Sequence, residues 1–306
     1  MKFLSLLLVL VLEQMRPLKR DNVLRLAFDR YAEFLAGQFD GGDVRHGIIA
    51  WVLAVAPVVA AAAVIHRLLN GLNPFAGLIW SIAVLYLTMG FRQFSHDYGE
   101  IQQALRSGEI AAARERLGKW NGESASDFNA GEIARVAIEQ GLLASHRHVF
   151  GTIAWFLVAG PAGAVLYRAA ADLADKWNAR APQRTGEFGR FPGRAFFWLD
   201  WIPVRLSAAS FGVVGDFEDA VYCWRTQAAG WEPHSHGILL AAGGGALGVR
   251  LGDSLHQYGS LRFRPAMGMG EEADTDTMTS AVGLIWRSLV LWMFLVLIVS
   301  LAHALG

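Results

Sequence analysis

Four ionisable residues sit where chemistry would be surprising unless it were wanted. Asp200 and Arg205 lie within Phe197-Trp-Leu-Asp-Trp-Ile-Pro-Val-Arg-Leu206, an apolar and aromatic stretch broken by Pro203. Across a proline-broken helix they can pair or face a polar cavity. Charges in apolar surroundings are costly, and in a membrane they mark a site by default. Arg250 lies in the glycine-rich run Gly245-Ala-Leu-Gly-Val-Arg-Leu-Gly252 and could hold an anion such as phosphate. Glu139 follows Arg135 by four residues, the spacing of a helical ion pair. These four are the ligand-pocket candidates; no catalytic residue is assigned.

Other patterns are weaker. His146-Arg-His148 and His234-Ser-His236 are both His-x-His. Residues two apart on a helix point to different faces, so no metal site is predicted from them. Gly243-Gly-Gly-Ala-Leu-Gly248 has no strand before it and no βαβ frame, so it reads as close helix packing rather than a dinucleotide loop. Cys223 is the single cysteine, which excludes an intrachain disulfide and any cysteine-based metal cluster.

The elements that must position these residues are apolar. Of 306 residues, 54% are hydrophobic and 18% charged, well below the roughly 25% of soluble domains. Lys+Arg and Asp+Glu both number 27, so no net basic field draws nucleic acid. Apolar runs, uncharged except for Arg287 near the start of the last, predict spans near 47–65, 75–89, 149–167 and 284–305, with tryptophans at their ends as interfacial anchors. The run 3–12 is too short to cross upright and reads as a retained interfacial or partly inserted helix. Residues 16–45 form a charged amphipathic segment, and 91–148 a cytoplasmic helical loop in which Gly108 stops one helix and Ser107 caps the next. Residues 262–279 read as a polar loop.

The positive-inside rule sets up a conflict. Loops 16–45 and 91–148 are rich in Arg and Lys, so both belong in the cytoplasm. A full crossing by 149–167 would then carry Lys176, Arg180, Arg184, Arg190 and Arg194 outside. A re-entrant or steeply tilted third segment removes the conflict. The expected fold is all-α: one multi-pass integral membrane domain over 1–306, with about four transmembrane helices plus amphipathic surface and re-entrant helices.

Several fragments, in order, resemble the CobD/CbiB family of cobalamin biosynthesis. They are Ala104-Leu-Arg-Ser-Gly-Glu-Ile-Ala-Ala-Ala-Arg114, Gly160-Pro-Ala-Gly-Ala-Val-Leu-Tyr-Arg168, Asp200-Trp-Ile-Pro-Val-Arg-Leu206, and Gly245 to Gly252 followed by Tyr258-Gly259. That family is associated with joining a corrinoid carboxylate to aminopropanol phosphate, using ATP and magnesium. Here its polar residues thin out. The Gly-Arg-Asp-Thr loop reads Gly122-Glu-Ser-Ala125, a run of acids keeps only Glu139, and an Asn-Thr-Leu-Asp-Ser run reads Ala171-Asp-Leu-Ala-Asp175. The Asp-Trp-Ile-Pro-Val-Arg-Leu element and the opening Leu-Val-Leu-Glu-x-x-x-Pro-Leu look more like the AmpE branch, regarded as accessory or sensory proteins linked to β-lactamase regulation.

The resemblance therefore implies an accessory or signalling protein of the bacterial inner membrane with a degenerate ligase site. The alternative it implies is the ATP-dependent amide ligase. No cofactor is expected under the first reading; ATP and magnesium enter only under the second. The expected partners are the lipid bilayer and a membrane or cytoplasmic protein.

Overall fold

The computed structural model describes residues 1–16, 23–39, 41, 43–179 and 187–305. Arg180 and Arg184 of the topology argument lie outside them. Helix accounts for 82% of the structure, so the all-α expectation holds, with one small exception described below. Among the described residues three helices are long and apolar enough to cross a membrane: Val44–Leu72, Ala130–Trp177 and Thr275–Ala302. Pro74–Thr88 is apolar but shorter, at 15 residues.

The chain divides into two compact units. The first takes Met1–Gly90, Arg147–Ile202 and Ser300–Gly306; the second takes Phe91–His146 and Pro203–Val299.

In the first unit, α1 (Lys2–Met15) and α4 (Pro74–Thr88) run alongside each other, tied where the Tyr86 hydroxyl donates to the Arg16 carbonyl at 2.6 Å. α2 (Val23–Phe39) and α3 (Val44–Leu72) bury Ala32, Leu35, Ala50 and Ala54 with Leu173 and Trp177. Asn73 stops α3 and caps α4, its side chain accepting from the Phe75 N–H. That is the turn expected between the first two apolar runs.

The expected third span is not a straight crossing. α8 (Gly151–Ala179) leaves helical geometry at Ala159 and at Gly160, whose φ of 63° suits glycine, and Pro161 follows. Beyond that point the chain returns along itself. A Cβ on Gly163 would lie 2.1 Å from the Trp155 carbonyl oxygen, and one on Gly151 2.2 Å from the Tyr167 ring. In a continuous helix residues 151 and 167 would be about 24 Å apart. Arg147 reaches the Ala171 carbonyl at 2.6 Å, and Arg168 meets His148. These pairs all centre near residue 159, so 147–171 is an antiparallel helical hairpin. The 48-residue length of the second apolar helix thus overstates its reach. Within 147–171 each arm of about 12 residues extends about 18 Å, and the returning arm continues as helix to Ala179. The hairpin's apolar tip carries Val158, 74% exposed, and the Lys2 ammonium donates to Leu157 there at 2.6 Å.

In the second unit, α5 (Phe91–Arg106) and α6 (Ile110–Asn121) form a helical pair turned by Gly108 at φ 74°. The residue entering α6 is Glu109, with no side-chain cap, rather than Ser107. α7 (Ala130–Ser145) opens on a capping box: Asn129 accepts from the Glu132 N–H, and Glu132 accepts from the Asn129 N–H. A π-helical turn, His146–Phe150, leads from α7 toward the hairpin. α9 (Arg190–Val214) belongs to the first unit up to Ile202 and to the second from Pro203 on, and α10 (Phe217–Gln227) packs on α11 (His234–Leu247). Their contact is backbone-close, since a Cβ on Gly245 would sit 2.5 Å from the Asp219 carbonyl.

The expected polar loop 262–279, together with the end of the glycine-rich run before it, is not irregular throughout. It forms a small three-stranded sheet, β4 (Ala266–Met267), β1 (Val249–Gly252) and β5 (Glu271–Glu272), with β1 antiparallel to β4 and parallel to β5. A hairpin, β2 (Leu255–Gln257) with β3 (Ser260–Arg262), stands beside it in sequence. Pleated pairing satisfies backbone groups that a loop would leave to water. The last helix, α12 (Thr275–Leu305), follows Asp274, whose carboxylate accepts from the Thr277 N–H at 2.8 Å.

Candidate functional sites in the two units

The four candidate residues divide between the units: Asp200 belongs to the first, and Glu139, Arg205 and Arg250 to the second.

Asp200 is 4% exposed. Its Oδ1 accepts the Tyr167 hydroxyl at 2.8 Å. Tyr167 comes from the returning arm of the hairpin and fits only because position 151 carries no side chain. Pro203 has a part in this arrangement. It has no N–H, so the Leu199 carbonyl lacks its helical donor. The Trp155 indole supplies one at 3.0 Å. Asp200 and Leu199 thus fasten α9 to both arms of the hairpin.

Further charge lines the base of the same hairpin. Arg147 pairs with Asp175 at 2.6 Å and lies over the Phe196 ring at 5.0 Å. Arg168 pairs with Asp172 at 3.1 Å, both almost buried. Phe196 in turn packs on Tyr167 at 5.5 Å. None of Arg147, Tyr167 and Arg168 was picked out by sequence. The available signal was the Gly160-Pro161 hinge with charges on both sides of it, Arg147 before and Arg168 and Asp172 after.

Glu139 is 3% exposed and does not pair with Arg135. Arg264 donates from Nη1 and Nη2 to its two oxygens at 2.8 and 3.0 Å, and the Gly252 N–H donates to Oε1 at 2.8 Å. Arg264 also donates to the Gly252 and Asp253 carbonyls and lies over the Trp231 ring at 5.2 Å. Arg135 turns instead to the Ser254 carbonyl at 2.7 Å and to Asp253 at 3.7 Å. One turn earlier, Glu132 accepts from the N–H and the Nδ1 of His256. The polar face of α7 is therefore a clasp for residues 252–264. An ion pair at i and i+4 needs only its own helix, but a partner more than a hundred residues away supplies bidentate geometry that a helix neighbour does not.

The loop before α7 holds the same segment from the other side. Asp127 accepts from the Gly259 N–H at 2.9 Å, and this bond, with one from Ser126, holds its carboxyl below the usual range. Glu123 faces Arg262 and Gln257.

Arg250 is exposed on β1, in register with Glu272 of β5. Arg205 is half-buried on α9 beyond Pro203. Among the histidines, His146 meets the Ser207 hydroxyl at 2.9 Å and His234 the Ala228 carbonyl at 3.2 Å. Among the described residues no three His, Cys, Asp or Glu side chains converge as metal ligands would. Cys223 is buried, which pushes its thiol pKa up.

Comparison with known proteins gives this architecture relatives. Residues 24–285 match the family described as CobD/Cbib protein. The chain is 34% identical over 301 residues to "Cobalamin biosynthesis protein CobD" of Stutzerimonas stutzeri, covering 96% of this chain and 97% of that one. It is 35% identical over 246 residues to the protein of the same name from Chromobacterium violaceum, covering 80% and 77%. "Cobalamin biosynthesis protein CbiB" of Salmonella typhimurium is 24% identical over 251 residues. No solved structure matches the chain. With the family match spanning residues 24–285 and a relative 34% identical over 96% of its length, the chain belongs to the CobD/CbiB family.

Proposed function

We propose that this chain is a non-catalytic accessory or signalling protein of the inner membrane, of the AmpE-like kind, in which a former ligase site serves structure. The observation that supports this most is the state of Glu139. It is the one acid retained from the family's acidic run, and its carboxylate accepts two bonds from Arg264 and one from Gly252. A carboxylate so occupied has little left for a cation. Asp200 is likewise capped by Tyr167. ATP and magnesium need free carboxylates and phosphate donors at one place, and these two residues do not fit that need.

A second reading is favoured by the relatives. Proteins 34% and 35% identical to this chain are named for cobalamin biosynthesis. Under it the chain is the amide ligase, with Gly160, Arg205 and the Gly245–Gly252 run retained. Complementation separates the two. Expression in a strain lacking the corrinoid amide ligase is expected to leave adenosylcobinamide phosphate formation absent. Restored formation would sink the accessory reading as the primary function.

A further inference from the structure

α5 carries two hollows that neither reading uses. On its polar face, a groove of about 440 Å³ is lined by Arg92, His96, Glu100, Gln103 and, from α6, Arg116. On its apolar face, a cavity of about 220 Å³ is lined by Phe91, Phe94, Tyr98 and, from α12, Val282, Ile285 and Trp286. Ser95 and Gly99 line both. A Cβ built on Gly99 would meet nothing within 4 Å, so space is open where the hollows adjoin.

The chemistry of the two halves differs. Among its lining residues the groove holds two arginines and a histidine against one acid. Arg116 donates to the Glu100 backbone carbonyl at 2.8 Å and faces its carboxylate at 3.7 Å. A guanidinium has five N–H donors, so these contacts fix Arg116 and leave others for an anion. His96, on the same helix, pairs with Glu100 at 3.3 Å. The apolar half is aromatic. Phe91 meets Phe94 at 5.3 Å and Trp286 at 4.9 Å, both edge to face. Tyr98 is fixed by donating to the Met278 carbonyl at 2.8 Å, and burial pushes its pKa well up. Trp286 and Arg287 stand where the apolar run of α12 begins, the depth at which aromatic side chains mark the edge of the hydrocarbon.

We propose that this double hollow binds an anionic amphiphile, a membrane phospholipid whose phosphate lies between Arg92 and Arg116 and whose first apolar segment enters beside Phe91, Phe94 and Trp286. Charge selects the headgroup, and the aromatic cavity separates an amphiphile from a free phosphate. The site stands independently of either function proposed above.

The full chain, purified and delipidated in detergent, is titrated with phosphatidylglycerol or phosphatidylcholine and the adducts are read by native mass spectrometry. The expected result is preferential binding of phosphatidylglycerol. Arg92→Gln and Arg116→Gln should each weaken it about fivefold, the effect of one basic residue beside an anionic lipid. Gly99→Trp, which fills the junction, should lower adduct formation while the fold persists by size-exclusion. Lys119→Ala, on α6 but outside the groove and paired with Glu115, should leave binding unchanged. Equal binding of the two lipids overturns the proposal, as does a glutamine double variant that binds like the parent. Complete displacement of phosphatidylglycerol by inorganic phosphate, with phosphate binding intact in Gly99→Trp, also overturns it in favour of a soluble anion.

Discussion

The Glu139 carboxylate and the Arg264 guanidinium are both largely buried, and each is the other's principal partner. Removing one leaves the other charged and dry. Glu139→Gln is expected to destabilise the protein by about 3 kcal/mol. Reversible unfolding should show this, and a double-mutant cycle with Arg264→Met should return a coupling of about 2 kcal/mol. Additive single effects would place the stabilisation elsewhere. At Asp200, Tyr167→Phe deletes one hydroxyl donor to a buried carboxylate and should cost about 2 kcal/mol. Asp127 allows a pH test with a definite sign. Its folded pKa lies below the ordinary value of 3.8, so its bond to Gly259 contributes fully above that pH and is lost as pH falls through the folded value. Hydrogen exchange at Gly259, corrected for intrinsic rates, should lose protection in that acid window. In Asp127→Asn the acid-dependent loss should vanish.

At the scale of elements, the hairpin 147–171 is the feature with most consequence. Both arms return to one end, so Arg147 and Lys176 are expected on the same membrane side, which would remove the topological conflict posed by a full crossing. Cysteine scanning on a Cys223→Ser background tests this directly. Cysteines at Ser126 and Asp175, both exposed, should be labelled from the same side by an impermeant maleimide, and labelling from opposite sides would make the segment a crossing. Gly163 is the steric key, because an added methyl meets the Trp155 carbonyl at 2.1 Å. Gly163→Ala should therefore destabilise the hairpin by about 2 kcal/mol, the cost typical of overpacking. The same substitution at Gly283, where a Cβ meets nothing within 4 Å, should be tolerated.

For the whole molecule, the long apolar helices found among the described residues make membrane residence the governing constraint. The exposed apolar side chains of α3 and α12, Val52, Leu53, Val64, Val290, Leu295 and Val299 among them, have no aqueous rationale. The protein should remain in the membrane pellet after an alkaline carbonate wash and leave it only with detergent. The function tests act at this scale too, since complementation reads the whole chain rather than any one side chain.

The sequence alone determined the helical class, the membrane setting and the apolar runs that form α3 and α12. Those rest on composition and on uninterrupted apolar runs, which are local properties. It also marked Asp200, because a charge among apolar neighbours is visible without a fold, and Glu139, through its four-residue spacing from Arg135. Only the tertiary structure decided their partners. Tyr167 lies 33 residues before Asp200, and Arg264 lies 125 after Glu139. No helical period joins such positions; the packing of α9 against the hairpin brings the first pair together, and the small sheet after α11 brings the second. The sheet itself escaped notice because its strands are two to four residues long and too short to show alternation. The two-part hollow on α5 was hidden for a related reason. Its polar and apolar faces read as ordinary amphipathicity until Arg116 and Trp286 arrive from other helices.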